Sequence, residues 1–591
     1  MVDRSDASIM TAYTPDPTSH VLDANLTSNP QRMLSGGKTS SRHAERSYRL
    51  GRAVSLWRLW LLGLGFLTLF TIIGAKIVHL AVLAEGREPV PTITAKLDTG
   101  AQEFRRSQLT DRNGRLLSDN VYRKAAYAVP AKIVDLDGTI DGLAQIFPEL
   151  DVGRLRADLN SNKNFVYIKR RLTPDQEAAV FNLGEPGLNF LEEQYRVYPH
   201  GNLTSHIVGF NDIDTFGQAG VEAYFDETLK EGLNPIALSI DVRVQHIVAE
   251  ELAATIQEFN AIAGTAVLLD SNTGEVIALV SLPDFDPYNP ATQSEAQRLN
   301  RATYGNYELG SVFKVFTLAS AIEADVVRLD EMIDVSKPIR VGGHKISDYK
   351  RYEDQMNPRD ILRRSSNIGA SKLALRVGSE AQESFLRELR LLSPSTLEIQ
   401  ETSTPEYPAR WGKASTATIS YGYGVAASPL QIANAFSTMV NGGVFRAATL
   451  VRQPEDQPLS PGHRVISEQT SATMRDMLEY VVREGTGRFA AAEGYRVGGK
   501  TGTANIARGG GYNEDARRAT FLGAFPINDP KYTLLVMVEN PDPEAQEYTQ
   551  GYATGGWVAA PAFHRIVERA APMLGLEPQP DPEDGDALAS H

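Results

Sequence analysis

The sequence contains no cysteine. Disulfide bonds, thiolate nucleophiles and cysteine-ligated zinc are therefore excluded, and the redox state of the compartment stays undetermined. The chain also lacks an excess of positive charge. Its net charge of −14 argues against broad nucleic-acid binding by the folded body. The remaining composition is that of a globular protein, and 591 residues are enough for a small domain and a large one.

Only one apolar run is long enough to cross a bilayer. Residues 1–58 hold eight Lys/Arg against five Asp/Glu, residues 59–75 carry no charge, and the run continues past Lys76 to Ala84. A membrane-spanning helix needs about 20 residues, and one lysine can snorkel to the interface. Because the cations precede the run, we expect an uncleaved anchor over residues 56–84, with a cytoplasmic N-terminus. A cleaved signal peptide and a buried soluble helix are the alternatives.

Polarity and periodicity divide the rest of the chain. Residues 1–55 form a polar tail, predicted to be disordered and cytoplasmic. Residues 85–237 mix short β-like runs with turns, and residues 572–591 form an acidic tail. Residues 238–571 show the order helix, two strands, a helical insertion, further strands and a closing helix. This order predicts an α/β protein of the α+β class, in which helices cover an antiparallel sheet.

The stretch GYRVGGKTGTAN, residues 494–505, matches two patterns with different functions. One is the phosphate-binding loop of nucleotide hydrolases, and the other is the K-T-G of serine acyl-transfer enzymes that act on penicillin-like rings. A phosphate loop requires a helix directly after Lys500 and Thr501, but Gly502 and the following NIARGGGYNED cannot sustain one. ATP and GTP are also scarce outside the cytoplasm. We therefore reject the nucleotide interpretation and expect no nucleotide.

A candidate nucleophile lies in ELGSVFKVFTLASAIEA, where Ser311 and Lys314 are three residues apart at the start of an apolar helix. That spacing places both side chains on one helix face. The hydrocarbon around Lys314 should lower its pKa by desolvation, so that a neutral amine can take the serine proton. The alternative is a helix-capping serine with a solvated lysine.

Two further patterns supply polar groups for a cleft. Ser365 and Asn367 form S-x-N, whose hydroxyl and carboxamide can face one site from a tight turn. In K-T-G-T, Lys500 and the hydroxyls can bind a carboxylate, Gly502 allows close backbone approach to a substrate, and the N–H of Thr503 can face an oxyanion. A capping serine pair and an ordinary edge strand are the alternatives. The three patterns occur in order, which favours one catalytic site.

Together the patterns resemble class B penicillin-binding proteins, which are peptidoglycan D,D-transpeptidases. The similarity runs from about Leu56 to Val567 and includes LTDRNGRLL, LSIDVRVQHIVAEEL and YGYGVAASPLQIANAF. Ser107 and Leu309 depart from it, because relatives usually have glycine and often proline there. The wording SSNIGA and the single anchor resemble the division-specific FtsI branch, and the elongation-specific branch is the alternative.

The resemblance implies a fold for both parts of the chain. Residues 85–237 would be a smaller, mixed β-rich pedestal of the dimerisation type. Residues 238–571 would have the penicillin-binding transpeptidase fold, with an antiparallel sheet, covering helices and an all-helical subdomain.

The resemblance also implies the chemistry of the first two patterns. Ser311 would attack the penultimate D-alanine carbonyl of a stem peptide, and the last D-alanine would leave. Lys314 would be the base, Ser365 would relay the proton towards the leaving amine, and Asn367 would hold the substrate amide. β-Lactams would acylate the same serine as covalent inhibitors.

For the third pattern the resemblance implies binding roles. Lys500, Thr501 and Thr503 would receive the carboxylate of the substrate or the β-lactam, with Lys500 near the proton relay. The N–H groups of Ser311 and Thr503 would form the oxyanion hole. No metal and no cofactor are implied.

The implied setting is the cell inner membrane, with the catalytic domain in the periplasm. The partner would be an FtsW-type glycan polymerase, together with other division proteins. A D,D-carboxypeptidase and a catalytically silent scaffold or β-lactam sensor remain alternatives. A class A β-lactamase would need a glutamate four residues before an asparagine downstream of S-x-N, but Leu430 stands four before Asn434.

Overall fold

The computed structural model describes residues 57, 60–61, 63–76, 106–232, 234–350, 354–454, 456, 458–459, 461–508 and 511–579. The chain forms two compact units, Met1–Ala101 and Gln102–His591. In the first unit the described residues are helical and their apolar side chains are exposed. Among the residues described, no helix is long and apolar enough to cross a membrane. The predicted tail over 1–55, part of the predicted anchor and residues 580–591 lie outside the described residues.

The second unit begins with a mixed domain built on a five-stranded sheet in the order β3-β2-β1-β5, with β4 also paired to β2. Its elements are β1 (Leu109–Thr110), β2 (Leu116–Ala128), α1 (Leu136–Ile146), α2 (Val152–Leu159), β3 (Val166–Lys169), α3 (Pro174–Asn182), β4 (Leu188–Val197), α4 (Ser205–Val208), α5 (Gly220–Tyr224), α6 (Asp226–Glu231) and β5 (Ile236–Ala237). The first three helices and one sheet face enclose a separate core that includes Ile140, Phe147 and Val166. The domain therefore has its own hydrophobic interior.

A buried charge cluster joins the start of this domain to its end. The Glu222 side chain is fully buried and accepts hydrogen bonds from Arg106 and Arg196, both at 2.7 Å. The Ser118 hydroxyl donates to the same carboxylate at 2.9 Å. Arg106 also pairs with Asp226 at 2.7 Å. Because the two arginines are buried too, Glu222 compensates the charge of Arg196 and shares the compensation of Arg106 with Asp226.

The larger domain is organised around a second five-stranded sheet, antiparallel throughout, in the order β14-β15-β16-β6-β7. Its elements are α7 (Val242–Glu258), β6 (Ala263–Asp270), β7 (Val276–Leu282), α8 (Glu295–Arg298), α9 (Lys314–Glu323), β8 (Ile333–Asp334), β9 (Ile339–Val341), β10 (His344–Ile346), β11 (Gln355–Met356), α10 (Pro358–Arg364), α11 (Asn367–Val377), α12 (Ser379–Glu388), α13 (Lys413–Ile419), α14 (Pro429–Val440), β12 (Val444–Phe445), β13 (His463–Arg464), α15 (Glu468–Glu484), β14 (Gly498–Arg508), β15 (Gly511–Phe525), β16 (Tyr532–Glu539) and α16 (Ala559–Met573).

Helices bury both faces of this sheet. In β16, Leu535 and Met537 pack with α9, α14 and α15, whereas Leu534 and Val536 pack with α7 and α16. A strand covered on both sides needs apolar residues at consecutive positions, which explains the unbroken run LLVMV, residues 534–538. The predicted antiparallel sheet covered by helices is confirmed.

The prediction of an all-helical subdomain needs one correction. Between α9 and α10 the chain forms two small antiparallel sheets, β9 with β10 and β8 with β11. These strands have only two or three residues each. Such pairs are too short to give a period-two pattern in the sequence. The helical patterns before and after them therefore led to the prediction of helices alone.

The two domains meet at the turn after β1. Arg112 donates to Glu275 at 3.3 Å, and the Asn113 carboxamide donates to Asp241 at 2.9 Å. The buried Asp111 accepts from the backbone N–H of Val242, the first residue of α7. The turn therefore links the pedestal sheet to the first helix of the larger domain.

We expect Glu222→Gln to lower the free energy of unfolding by about 3 kcal/mol, because it leaves buried guanidinium charge uncompensated. Urea unfolding measures the change. Asp137→Asn is the control, since its pair with Arg156 is exposed and should contribute at most about 1 kcal/mol. Equal losses in the two variants would contradict the account.

Candidate active site

Ser311 lies in a 3-10 turn, Gly310–Phe313, that leads directly into α9. Gly310 has φ +55°, and a Cβ there would come within 2.7 Å of the carbonyl oxygen of Thr503 on β14. A Cβ at Gly422 would come within 1.9 Å of the carbonyl oxygen of Gly310. Only glycine fits these two positions. The turn that holds Ser311 therefore packs directly between β14, the edge strand of the sheet, and the loop around Gly422.

The Lys314 amine is the centre of the site. It lies 2.8 Å from the Ser311 hydroxyl, 3.1 Å from the Ser365 hydroxyl and 2.7 Å from Oδ1 of Asn367. It also donates to the carbonyl oxygen of Ser365 at 2.8 Å. The residue is fully buried, whereas Ser311 and Ser365 are partly exposed. The structure thus brings the first two predicted patterns together around one nitrogen.

Burial sets the protonation of this amine. Desolvation lowers the pKa of Lys314 well below its usual value, the nearby charge of Lys500 lowers it further, and the Asp348 carboxylate opposes both effects. A neutral amine donates two hydrogens and keeps one lone pair. That lone pair can accept the hydroxyl hydrogen of Ser311, which lies within hydrogen-bond distance. Ser311 and Lys314 can therefore act as nucleophile and base.

The S-x-N turn owes its shape to local backbone chemistry. Ser365 ends α10 with φ 63°, in the left-handed region, and Ser366 caps α11 through its hydroxyl, which accepts from Gly369. Asn367 is the first residue of α11. Its side-chain nitrogen, Nδ2, donates to the carbonyl oxygen of Ser347 at 3.0 Å. The carboxamide keeps one N–H and one lone pair for a substrate.

Asp348 is a site residue that the sequence patterns did not identify. Its carboxylate accepts from the Ser366 hydroxyl at 2.7 Å and from the backbone N–H groups of Asn367 and Ile368, the first two residues of α11. A carboxylate at the N-terminus of a helix accepts hydrogen bonds from its free N–H groups and interacts favourably with the positive end of the helix dipole. Asp348 therefore fixes the orientation of the turn that presents Ser365 and Asn367. It belongs to no motif, so only the fold could identify it.

The third pattern lies on β14, at the edge of the sheet, beside the Ser311 turn. The Lys500 side chain is fully buried, and burial lowers its pKa to about 7. Its amine donates to the carbonyl oxygen of Thr501 at 2.9 Å and lies 3.2 Å from the Thr501 hydroxyl. Among the described residues it makes no hydrogen bond to Ser365, and its link to Lys314 is electrostatic.

Two more residues hold the threonine hydroxyls, and neither is in a predicted pattern. The Thr501 hydroxyl donates to that of Thr486, which is exposed, at 2.9 Å. The Thr503 hydroxyl accepts from the backbone N–H of Gly555 at 3.2 Å. Thr503 thus keeps its own hydrogen for a ligand. The hydroxyls of Thr486 and Thr503 and the buried Lys500 amine are therefore the donors that this edge of the site offers to a carboxylate.

The sequence of the chain matches two family models that cover its two domains. The penicillin-binding protein transpeptidase domain matches residues 264–568, and the penicillin-binding protein dimerisation domain matches residues 102–232. The chain belongs to the penicillin-binding protein transpeptidase family. The first match includes all three patterns around Lys314, and the second includes the pedestal sheet up to β4.

Curated relatives agree with the family. The chain is 33% identical over 509 residues to the peptidoglycan D,D-transpeptidase FtsI of Escherichia coli, covering 80% of this chain and 84% of that protein. It is 35% identical over 493 residues to the FtsI-named relative of Caulobacter vibrioides, covering 80% of this chain and 82% of that one. The resemblance to class B enzymes of the FtsI type is confirmed.

Solved structures show the same fold. Penicillin-binding protein 3 of Mycobacterium tuberculosis, in complex with aztreonam, matches with a TM-score of 0.63 at 24% identity, covering 80% of this chain and 97% of that chain. The same protein in complex with ampicillin matches with a TM-score of 0.64, covering 81% and 97%. These likenesses extend over both domains and support the transpeptidase fold.

We expect Asp348→Asn to slow acylation by benzylpenicillin about 10- to 100-fold, because a misplaced catalytic group costs rate without unfolding the protein. Stopped-flow or quenched mass measurements give the rate, and a thermal melt checks the fold. Asp330→Asn is the control, since that carboxylate is exposed and pairs only with Arg328 among the described residues. If Asp348→Asn acylated at the parent rate, Asp348 would not be needed to position the catalytic groups.

Proposed function

We propose that the chain cross-links peptidoglycan as a serine D,D-transpeptidase, with Ser311 as nucleophile and Lys314 as base. The observation that carries this proposal is the position of the Lys314 amine, which is buried and within hydrogen-bond distance of Ser311, Ser365 and Asn367. Membership of the family supports the substrate class, and the geometry supports the assignment of each side chain.

Acylation follows from these contacts. The Ser311 oxygen attacks the carbonyl of the penultimate D-alanine as its proton passes to Lys314. The N–H groups of Ser311 and Thr503 stabilise the oxyanion. The bond to the last D-alanine then breaks, and the proton reaches the leaving amine through the Ser365 hydroxyl, 3.1 Å from Lys314. The product is an ester on Ser311 and free D-alanine.

The second half-reaction uses the same groups in reverse. An amine from a neighbouring stem peptide attacks the ester and loses its excess proton to Lys314. Lys314 then passes this proton to the Ser311 oxygen, which leaves as a hydroxyl as the new amide forms. Thr501, Thr503 and Lys500 hold the carboxylate of the donor peptide during acylation and that of a β-lactam during inhibition. The glutamate that class A β-lactamases carry four residues before an asparagine is missing from the sequence pattern downstream of S-x-N, where Leu430 precedes Asn434 by four. A long-lived penicilloyl ester is therefore expected.

The cellular setting extends the proposal. Residues 56–84 anchor the chain in the inner membrane, the N-terminus is cytoplasmic, and the enzyme works with an FtsW-type glycan polymerase in septal wall synthesis. The apolar run after a cationic segment supports the anchor, and the similarity to FtsI-named proteins supports the septal role. Protease added to spheroplasts should digest the body and spare a tag at Met1; loss of the tag would overturn the topology.

We expect intact-protein mass spectrometry after incubation with benzylpenicillin to show one adduct, mapped to the peptide that contains Ser311. Ser311→Ala should show none, and Lys314→Met should acylate 10²- to 10⁴-fold more slowly, because loss of a general base costs about that much. Ser320→Ala, on the same helix, is the control and should label fully. An adduct that survives in Ser311→Ala would refute the assignment of the nucleophile.

The two buried lysines predict a bell-shaped pH dependence of acylation. The rate should fall at low pH, as Lys314 binds a proton at its lowered pKa. It should fall again above about pH 7, as Lys500, whose pKa is lowered to about 7, loses the charge that attracts the carboxylate. Lys500→Arg keeps a charge at high pH, so in this variant the alkaline decline of the acylation rate should move to higher pH. A basic limb that does not move would show that Lys500 is not its origin.

A further inference from the structure

A second cavity, separate from the catalytic cleft, lies where α12, α14, β12 and β13 meet. Its volume is about 300 Å³, and its apolar wall includes Leu389, Leu430 and Phe445, all of which are buried. None of the residues around Ser311 and Lys314 lines it. A small-molecule site is a concave, mostly apolar pocket of at least this volume, with a few polar groups that converge on it.

The first polar group in the cavity is Asn434. Its side chain is 7% exposed and lines the cavity from α14. Within the described part of the chain, its carboxamide makes no hydrogen bond, and only its backbone oxygen is used, by Thr438. The neighbouring Gln431 differs, because its amide donates to the carbonyl oxygens of Arg390 and Ser393. The donors and acceptors of the Asn434 carboxamide are therefore free to bond an occupant of the cavity that this residue lines.

The second polar group is Arg390, which lines the same cavity and is exposed. Its guanidinium has no ion-pair partner among the described residues, and no Asp or Glu among them lines the cavity. Arg387, one turn earlier, is instead paired with Glu383 at 2.7 Å. An unpaired guanidinium beside an apolar pocket favours a carboxylate, which it can bind through two parallel hydrogen bonds.

We propose that this cavity binds a short peptide through its terminal carboxylate, independently of acyl transfer at Ser311. Arg390 takes the carboxylate. The Asn434 carboxamide pairs with one peptide group, donating to its C=O and accepting from its N–H. Small aliphatic side chains such as those of alanine fill the wall formed by Leu389, Leu430 and Phe445. The cavity volume suits two residues better than an extended chain.

The test uses the full-length protein after incubation with benzylpenicillin, so that the catalytic serine is occupied, with the adduct verified by mass. The probe is N-acetyl-D-alanyl-D-alanine, titrated by ligand-observed NMR, and its L,L enantiomer is run beside it. Saturable binding of either enantiomer supports the site, and the preferred enantiomer tells a wall-derived peptide from an ordinary one. The C-terminal amide of each probe, which lacks the carboxylate, should bind about tenfold more weakly.

The variants locate the binding. Arg390→Gln should weaken the probe about tenfold, and Asn434→Asp, which nearly keeps the side-chain shape, should weaken it at least as much by charge repulsion. Arg387→Gln, on the same helix, should bind as the parent does. Absence of saturable binding, or binding that Arg390→Gln leaves unchanged, would overturn the proposal. If penicillin fails to acylate, the proposed catalytic function fails, and the dependence on Arg390 still decides whether this cavity binds the probe.

Discussion

The structure depends on one interaction, the burial of the Lys314 amine among oxygen atoms of Ser311, Ser365 and Asn367. A charged ammonium at this depth would be costly, so the fold favours the neutral form. The neutral form is the one that can accept a proton from serine. The same desolvation that opposes burial of a lysine therefore lowers the pKa of Lys314 and favours the form that acts as a base.

The surrounding architecture serves to keep three separate pieces of chain at fixed distances from that amine. Gly310 and Gly422 allow the serine turn to lie directly against its neighbours. Asp348 holds the start of α11, and Gly555 holds a hydroxyl on the edge strand. Each contact is made by backbone or by a short side chain, which leaves little freedom for the site to rearrange. Positioning of this kind accounts for much of the rate that such sites achieve.

Sequence patterns predicted the parts of the fold that have a strong local signal. The helix at α7, the strands at β6 and β7 and the hairpin of β15 and β16 each have the expected period or an uninterrupted apolar run. The three catalytic patterns were identified by their letters and order. That the three pieces converge was an inference from family resemblance, because no local rule brings α9, α11 and β14 together.

Three residues of the site could not be identified from sequence patterns. Asp348 lies 17 positions before Ser365 with no pattern around it, and Thr486 and Gly555 contact β14 from distant segments. Their roles depend on which backbone groups they meet, and that is decided by tertiary packing alone. The small sheets of β8 to β11 were missed for a related reason, since strands of two or three residues are too short to show a period.

The proposed mechanism depends most directly on the protonation state of Lys314, which a titration can measure. The protein would be labelled with ¹³C at lysine Cε, and the signals of Lys314 and Lys500 would be assigned by comparison with Lys314→Met and Lys500→Arg. We expect both lysines to titrate well below the pH at which the exposed lysines do, with Lys500 near pH 7. If Lys314 titrated together with the exposed lysines, it would be charged at neutral pH and could not be the base.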